Sequence, residues 1–366
     1  MTGRAMVLEA FGEPLVERTY EVADLAPGEV LCRVTAAGVC GSDVHMWQGR
    51  DPRTPLPLIL GHEGVGTIAE LAGAKRDLLG RALQPGDPVV WERGLMCGQC
   101  YFCVVRKQPA LCPHRRTYGI SVGCSEPPHF SGCYAEFIHL RAGCHLLRLD
   151  DDTDPALLAA ASCSGASATH AVELAHIERG CNVLVIGPGP LGLFCLALAI
   201  DSGAGAVYLA GRTSSQTRLD LGRQLGATDV LVLDRMTPEQ RREQVLDWTH
   251  GWGFDAILDC TGSPATIPEH LPEVAAYGTY ALPGIATPVG EVGIEVFEHL
   301  ARRNVNLQGA WVSDTRHLFQ AIRLVQSGRY PLHKLVTHRL PLSQATEALH
   351  AMQGRQAIKA VLTIEH

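Results

Sequence analysis

Residues 181–200, CNVLVIGPGPLGLFCLALAI, join an apolar run typical of a buried strand to a glycine-rich turn and then to an apolar run typical of a helix. The turn has the G-x-G-x-x-G spacing, in which missing side chains let the backbone approach a pyrophosphate at a helix N-terminus. A proline in its fourth position suits the first turn of that helix. The stretch predicts a dinucleotide site rather than an ordinary tight turn. The residues assigned to it are Gly187, Gly189, Pro190, Leu191 and Gly192.

The sequence around this stretch alternates between the two kinds of secondary structure. From about Asp154, helical segments separate the short apolar runs AVYLAG, DVLVLD, FDAILDC and GTYALPG. Such alternation predicts a parallel, doubly wound sheet in an α/β fold. Residues 1–150 instead contain short β-like runs between turn signals such as QPGD, which predict a distorted β-barrel or a similar unit. From about Ser313 the chain returns to a helix, an extended piece, a second helix and a final strand.

Charge and composition limit the possible functions. The 366 residues include 38 acidic and 31 basic side chains, which gives a formal net charge of −7. This balance gives no electrostatic footprint for nucleic acid or for an anionic membrane. No charged-then-apolar leader and no uncharged apolar run of spanning length is found in the sequence. We expect a cytoplasmic protein that acts on a small molecule.

Four of the thirteen cysteines lie close together in CGQCYFCVVRKQPALC, residues 97–112. In a reducing compartment, clustered thiols are more often metal ligands or nucleophiles than disulfides. A C-x2-C-x2-C run closed by a fourth cysteine lets one loop surround a tetrahedral ion, and four thiolates leave no open coordination position. The spacing predicts a structural zinc site. Its ligands are Cys97, Cys100, Cys103 and Cys112.

The residue after the second predicted strand bears on the choice of cofactor. An acid there would bind the ribose 2′-hydroxyl of NAD, whereas an arginine without an acid favours the 2′-phosphate of NADP. Here AVYLAG is followed by Arg212 and then by Thr213-Ser214-Ser215. The pattern favours NADP over NAD. Arg212 as a solvated loop residue, or stacked on adenine, is the alternative.

A second group of chemistry-bearing residues begins with GVCGSDVH, residues 38–45, and continues with GHEGVG, residues 61–66. Together with the later Cys163, Cys40 and His62 form a set of two sulfurs and one nitrogen. This set matches a catalytic zinc with three protein ligands and an open fourth position. One such residue alone is more often a packing residue. Three of them, in a chain with a dinucleotide motif, favour a catalytic metal.

With these motifs the chain resembles the zinc-dependent members of the medium-chain dehydrogenase/reductase superfamily, the alcohol and polyol dehydrogenases. GVCGSDVH, GHEGVG, the four-cysteine lobe, GPGPLG, FDAILDCTG and HLARRNVNLQGAW carry the resemblance over nearly the whole chain. It implies a GroES-like catalytic domain of β-barrel type, formed by residues 1–152 and 313–366. A Rossmann domain over residues 153–312 would be inserted between them. It also implies a homodimer or homotetramer.

The resemblance also implies roles for individual residues. Cys40, His62 and Cys163 would bind the catalytic zinc, and the carboxylate of Glu63 would tune it. Ser42 and His45 would form a proton relay, because a hydroxyl both donates and accepts and an imidazole titrates near neutrality. Asp43 is assigned to local structure.

Two departures from the family pattern affect the substrate assignment. The third and fourth structural cysteines are separated by eight residues, VVRKQPAL, where the family usually has seven, so a local bulge is expected. The third catalytic ligand is Cys163, where polyol dehydrogenases often carry a glutamate. The ligand set therefore resembles that of alcohol dehydrogenases, and neither branch of the family supplies the substrate class.

The favoured hypothesis is a zinc-dependent oxidoreductase that moves hydride between an alcohol and NAD(P), giving a ketone or aldehyde. The alternatives are a zinc-free enone or quinone reductase of the same fold and a non-catalytic protein that keeps the fold. Family position places Met46, Trp47, Trp91 and Trp311 near the substrate, which favours a bulky, secondary or polyol-like alcohol. Any of these side chains could instead belong to the core. The remaining seven cysteines are predicted to be small buried hydrophobes.

Overall fold

The computed structural model describes residues 1–150 and 152–365, so Asp151 and His366, which fall within the predicted catalytic domain, lie outside the described residues. The chain divides into two compact units. The first unit comprises Met1–Cys163, Ser313–Ser327 and Leu335–His366, and the second comprises Ser164–Val312 and Gly328–Lys334. The first unit extends past the predicted boundary at residue 152 because the helix Pro155–Ala160 packs against strands of that unit.

The first unit is mainly antiparallel sheet. Its strands are β1 (Thr2–Leu8), β2 (Val16–Glu21), β3 (Val30–Val39), β4 (Leu58–Ile59), β5 (Gly64–Leu71), β6 (Pro88–Trp91), β7 (Gly94–Leu95), β8 (Arg116–Thr117), β9 (Phe137–Leu140), β10 (Leu146–Arg148), β17 (Val336–Pro341) and β18 (Lys359–Thr363). Seven strands form the main sheet, in the order β10-β6-β5-β3-β18-β17, with β9 also paired to β3. Since β3 pairs with β5, β9 and β18, it lies at the centre of this sheet and is buried along nearly its whole length.

Short helices connect these strands. They are α1 (Gly41–Trp47), α2 (Tyr101–Val104), α3 (Pro155–Ala160), α10 (Thr315–Gln326) and α11 (Ala345–Gln353). The helix α11 forms the crossover between β17 and β18, which are parallel, as the connection between parallel strands requires. One hydrophobic core, extending from Ala5 to Ile364, joins both ends of the chain to this unit.

The second unit is a six-stranded parallel sheet with its connecting helices. The strands are β11 (Asn182–Ile186), β12 (Ala206–Gly211), β13 (Asp229–Val232), β14 (Phe254–Asp259), β15 (Val274–Leu282) and β16 (Asn306–Gly309), and the helices are α4 (Ala166–Leu174), α5 (Pro190–Asp201), α6 (Gln216–Leu225), α7 (Pro238–Trp248), α8 (Thr266–His270) and α9 (Val296–His299). The strand order β13-β12-β11-β14-β15-β16 reverses direction between β11 and β14. This is the doubly wound order, so the α/β prediction is confirmed.

The sixth strand of this sheet did not stand out in the sequence. Its four residues, Asn306–Gly309, have no buried member, since the strand lies at the edge of the sheet beside β15. An edge strand with both faces partly solvated lacks the apolar run that identifies its neighbours.

In the described part of the chain, no helix combines the length and apolarity needed to cross a membrane.

Candidate functional site

The octapeptide at residues 38–45 forms the junction between β3 and α1. Cys40 is the N-cap of α1, and its backbone N–H donates a hydrogen bond to Asp43 Oδ2 at 2.7 Å. The other oxygen of Asp43, Oδ1, lies 3.2 Å from His62 Nδ1, and both side chains are almost fully buried. Asp43 therefore has the local structural role that was predicted. It also orients the imidazole of His62, a function that the sequence did not reveal.

Ligand atoms of Cys40, His62, Glu63 and Cys163 all lie within 4.8 Å of one another. The chain segments that supply them are far apart in sequence, and all of them belong to the first unit. Cys163 lies in a single π-helical turn, Ala161–Gly165, that follows α3. Such turns are rare and often occur at functional sites. The structure thus brings together the three predicted zinc ligands and the carboxylate predicted to accompany them.

Glu63 forms a buried ion pair that the sequence did not indicate. Lys359 Nζ, on β18, lies 2.5 Å from Glu63 Oε2, and neither side chain is more than 1% exposed. Gly38 provides the space, because a Cβ at that position would lie 2.0 Å from Glu63 Oε2. A lone lysine in the sequence AIKAVLTIE gives no signal of this role, since only strand pairing places β18 beside β3.

Burial and neighbouring groups shift the pKa values of the cluster. Burial raises the pKa of Glu63 to about 7, the negative charge of Cys40 adds to this rise, and Lys359 opposes it. A carboxylate 2.5 Å from an ammonium group would ordinarily have a lowered pKa. Hydrogen bonding with Cys163 lowers the pKa of the Cys40 thiol well below its ordinary value, whereas the same contact raises that of Cys163.

A second buried cation, Arg93, belongs to this neighbourhood and was also not predicted. Its side chain is 4% exposed, and it donates to the Ser162 carbonyl at 3.4 Å and to Ser313 Oγ at 3.1 Å. Burial lowers the pKa of Arg93, but the negative charges of Cys163, Glu92 and others outweigh this effect and raise it. Two buried cations, Arg93 and Lys359, therefore lie beside the sulfur atoms of the cluster. Thiolate ligands at such a position favour a bound divalent cation.

The two predicted relay residues lie on α1 but do not bond to each other. Ser42 Oγ lies 3.3 Å from His62 Nε2. His45 Nδ1 is buried and has no hydrogen-bond partner in residues 1–150 or 152–365. Burial, with a contribution from Arg50, lowers the pKa of His45 below 6.5. The imidazole is therefore neutral at physiological pH and able to accept a proton.

The four-cysteine lobe forms a second sulfur cluster in the first unit. The Sγ atoms of Cys97, Cys100, Cys103 and Cys112 all lie within 4.8 Å of one another. Neighbouring sulfurs are 3.5 Å apart for Cys100–Cys103 and for Cys97–Cys112. The unusual eight-residue spacing is accommodated by Lys107, which has a left-handed φ of 52°, and by a 3-10 turn at Pro109–Leu111.

The glycine loop lies between β11 and α5, at the point where the strand order of the second unit reverses. Gly187 has a φ of 94°, and a Cβ on Gly192 would lie 2.1 Å from the Gly187 carbonyl oxygen. Gly189 is the extended N-cap of α5, and Pro190 occupies the first turn of this helix. The loop thus has little room for side chains, at a position that suits phosphate binding.

Arg212 immediately follows β12, where the residue that selects the cofactor is expected. It is exposed, and no carboxylate of the described chain forms an ion pair with it. Asp234, from the neighbouring strand end, instead accepts hydrogen bonds from the N–H of Thr213 at 2.7 Å and from its hydroxyl at 3.0 Å. Hydrogen bonds from Thr213 lower the pKa of Asp234, and the charge of Arg212 adds to this effect, so Arg212 and Asp234 lie close enough to interact.

Two of the tryptophans predicted near the substrate belong to the hydrophobic core. Trp47 is 4% exposed and donates its indole N–H to the Glu13 carbonyl at 2.7 Å. Trp91 is 1% exposed and packs against Gly64, whose Cβ would lie 2.5 Å from the indole ring. Met46 is fully buried in the same core. These three residues pack in the core of the first unit, and their assignment to the substrate pocket stays a prediction. Trp311, in the second unit, is 39% exposed.

Comparison with known proteins agrees with this geometry. Residues 26–151 match the alcohol dehydrogenase GroES-like domain family, and residues 164–364 match the glucose dehydrogenase C-terminus family. The 5-exo-hydroxycamphor dehydrogenase of Pseudomonas putida is 32% identical over 350 residues, which cover 94% of each chain.

Solved structures give the same result. An alcohol dehydrogenase of Thermotoga maritima superposes with a TM-score of 0.96 at 43% identity, covering 100% of both chains. A protein described as a zinc-binding dehydrogenase, from Sinorhizobium meliloti 1021 and bound to NADP, has a TM-score of 0.85 at 25% identity over 99% of both chains. The chain belongs to the zinc-dependent medium-chain dehydrogenase/reductase superfamily and is an alcohol oxidoreductase that uses zinc and a nicotinamide cofactor.

Proposed function

We propose that this enzyme oxidises a bulky secondary alcohol to its ketone, with NADP as the preferred hydride acceptor and with a catalytic zinc held by Cys40, His62 and Cys163. The observation that carries this proposal is the buried cluster of two sulfurs and one imidazole, whose ligand atoms lie within 4.8 Å of one another beside the buried cations Lys359 and Arg93. A zinc ion bound there supplies Lewis acidity, which promotes loss of the alcohol proton and so favours hydride transfer.

The protein groups around the cluster have distinct roles in this proposal. The Asp43 carboxylate, 3.2 Å from His62 Nδ1, keeps the proton on that nitrogen and leaves Nε2 as the ligand atom. Lys359 holds Glu63 in place within the buried cluster. Ser42 is proposed to take the proton from the alcohol, because its hydroxyl is next to His62 Nε2 and can accept and donate. His45, neutral at physiological pH, is proposed to release that proton to solvent.

The four-cysteine lobe is proposed to hold a structural zinc. Four mutually close thiols fit a tetrahedral ion and leave no position for substrate. Hydrogen bonds from the backbone N–H groups of Gln99 and Cys100 lower the pKa of Cys97 to about 6, so at least one ligand is ready as a thiolate at neutral pH. Such an ion would hold together a segment that has few buried residues of its own.

The preference for NADP rests on Arg212. Its exposed guanidinium follows the second strand of the doubly wound sheet, and the nearest carboxylate, Asp234, is engaged by Thr213. An arginine at this position suits a 2′-phosphate, and no acid directly follows β12 to bind a ribose 2′-hydroxyl. The S. meliloti structure with bound NADP is consistent with this preference.

The substrate class is proposed from the ligand set and from one relative. Cys163 completes a two-sulfur set, in place of the glutamate that is common in polyol dehydrogenases. The P. putida relative is named for hydroxycamphor, a bulky cyclic secondary alcohol, which favours a substrate of that shape over a linear polyol.

We also propose a homodimer or homotetramer in the cytoplasm. The second unit exposes large apolar side chains, among them Trp252, Tyr277 and Phe297, which are 79%, 83% and 62% exposed. Exposed apolar groups of this size are commonly covered by a partner. All thirteen cysteines are free, as expected in a reducing compartment.

Metal analysis combined with kinetics tests the proposed site. Purified enzyme should contain about two zinc ions per chain and should oxidise cyclic secondary alcohols with NADP. Cys40→Ala should keep one zinc, remain folded and lose turnover, whereas the control Cys32→Ala, a buried thiol on β3 outside both clusters, should keep two zinc ions and activity. Retained turnover in Cys40→Ala would refute the catalytic assignment.

Cofactor selectivity is tested separately. Arg212→Asp should weaken NADP binding about tenfold or more while leaving NAD binding nearly unchanged, because one charged contact to phosphate contributes roughly 1.5–3 kcal/mol. The control Arg218→Asp changes a nearby arginine on α6 that does not follow a strand end. Equal losses for both cofactors would remove the 2′-phosphate argument.

A further inference from the structure

Two cysteines of the second unit lie side by side at the glycine loop. Cys195 is in the second turn of α5 and is fully buried, whereas Cys260 directly follows β14 and is partly exposed. Cys260 Sγ donates a hydrogen bond to Cys195 Sγ over 3.7 Å, although the residues are 65 positions apart. We propose that this pair is a dithiol modification site, and that bridging its two sulfurs weakens dinucleotide binding.

The sulfurs are close enough to be bridged but not without movement. A disulfide needs an S–S distance of about 2.05 Å, so the two sulfurs must approach by roughly 1.7 Å. A trivalent arsenical bonded to both sulfurs needs less movement, because the arsenic atom lies between them. The third cysteine of this unit, Cys181, is paired with neither and accepts a hydrogen bond from the Glu178 N–H at 3.4 Å.

The backbone of Cys260 is packed tightly against the glycine loop. Its N–H donates to the Ile186 carbonyl at 2.8 Å, immediately before Gly187. A Cβ on Gly187 would lie 3.2 Å from the carbonyl carbon of Cys260, and a Cβ on Gly284 would lie 2.7 Å from the same atom. Cys260 is therefore held on two sides by glycines that leave no spare volume.

Movement at the dithiol must consequently reach the loop. Cys195 follows the loop by three residues on the same helix, so pulling the two sulfurs together shifts the first turns of α5, the end of β14, or both. Gly187 and Gly192 are themselves packed closely, since a Cβ on Gly192 would lie only 2.1 Å from the Gly187 carbonyl oxygen. A displacement of about an ångström or more cannot leave the phosphate-binding backbone unchanged, because close-packed interiors transmit strain.

Two classes of reagent can bridge the two thiols: a peroxide and an arsenic(III) oxide. A peroxide oxidises Cys260–SH to the sulfenic acid with release of water, and the Cys195 thiol then displaces a second water to form the disulfide. A monosubstituted arsenic(III) oxide binds both thiols with loss of one water and no change of oxidation state. The hydrogen bond to Cys195, together with burial, raises the pKa of Cys260 well above its ordinary value, so peroxide should act slowly at neutral pH.

The test uses the full-length, zinc-loaded enzyme and rests on the proposed binding of a dinucleotide at this loop. Wild type, Cys195→Ser, Cys260→Ser and the control Cys181→Ser are treated with phenylarsine oxide or with hydrogen peroxide. Bridging is located by peptide mass mapping, zinc content is measured to exclude damage to the two metal clusters, and NADP and NAD affinities are measured by calorimetry.

Wild type and Cys181→Ser should each acquire one Cys195–Cys260 bridge and lose dinucleotide affinity at least tenfold. Dithiothreitol should restore affinity, because it reduces the disulfide and removes the arsenical by thiol exchange. Cys195→Ser and Cys260→Ser should bind dinucleotide before treatment and be unaffected by it. If either serine variant fails to fold, the alanine variant at the same position replaces it.

The possible failures are distinguishable. Absence of a bridge, or a mapped bridge without loss of affinity, would overturn the dithiol inference while leaving the proposed function intact. An equal loss in Cys195→Ser would show that another thiol is responsible and would also overturn it. Untreated wild type that binds neither NADP nor NAD would instead refute the proposed dinucleotide site.

Discussion

The two sulfur clusters of the first unit are built in opposite ways. The four-cysteine lobe takes all its ligands from residues 97–112, and three of its four thiols are partly exposed. The cluster of Cys40, His62 and Cys163 takes its ligands from three distant segments and is surrounded by buried charges, among them Lys359. We therefore expect the lobe to depend on a bound ion for its shape. We expect the buried cluster to be positioned mainly by the fold.

The largest expected effect is a loss of turnover, which distinguishes the buried cluster from the four-cysteine lobe. Cys163→Ser in the buried cluster should lower turnover by roughly a thousandfold or more, about 4 kcal/mol in the barrier, because the Lewis acid is lost or misplaced. The thermal unfolding temperature should change little, since the surrounding core is unaltered. Kinetics and calorimetry on the same preparation measure both quantities. A large drop in unfolding temperature with near-normal turnover would reverse the proposed distinction.

Cys103→Ser in the lobe should affect the local stability of its segment more than it affects turnover. The segment 97–112 has a short helix without buried residues, so without its ion it should open locally. We expect cleavage after Arg106 or Lys107 by trypsin to accelerate at least tenfold, while turnover falls only a fewfold. The control is Cys124→Ser, a buried thiol of the same unit outside both clusters. Unchanged proteolysis of the lobe would contradict its dependence on metal.

The third prediction concerns the buried ion pair of Lys359 and Glu63 beside the buried cluster. Lys359→Met leaves Glu63 buried and unpaired, which should destabilise the protein by about 3 kcal/mol, the lower range for a broken buried ion pair. The double variant Lys359→Met, Glu63→Gln should recover most of this loss. Urea unfolding of the two variants and of Lys75→Met, a partly exposed control, measures the effect. Additive losses in the double variant would show that the two residues do not act as a pair.

The smallest expected effect concerns His45. Burial lowers its pKa below 6.5, so the imidazole is neutral and accepts protons at higher pH, and turnover should fall as pH drops through this pKa. His45→Gln should lower turnover several-fold at about pH 7 and remove that acid limb, whereas His338→Gln, at a partly exposed histidine of the first unit, should keep it. If the fall in turnover at low pH persists in His45→Gln, the group that titrates is not His45.

Local sequence was sufficient to predict a site where all of its residues lie in one short segment. The glycine spacing of residues 187–192 predicted both the turn and the helix that follows, because the close approach of Gly192 to Gly187 is made within one short segment. The four cysteines of residues 97–112 were equally predictable as a cluster. The edge strand β16 was not, because an exposed strand has no apolar pattern. Trp47 and Trp91 lie in a hydrophobic core, and their position near the substrate stays a prediction, since an aromatic residue gives the same sequence signal in a pocket and in a core.

Spacing and residue type along the chain were enough to predict the two-part architecture, the doubly wound sheet, the nicotinamide motif and the candidate metal ligands. How buried charges surround those ligands depends on the folded arrangement of the strands. Lys359 reaches Glu63 because β18 pairs with β3, and Cys260 meets Cys195 because α5 packs over β14. Contacts between residues so far apart along the chain depend on strand order and register, which no single segment of the sequence contains.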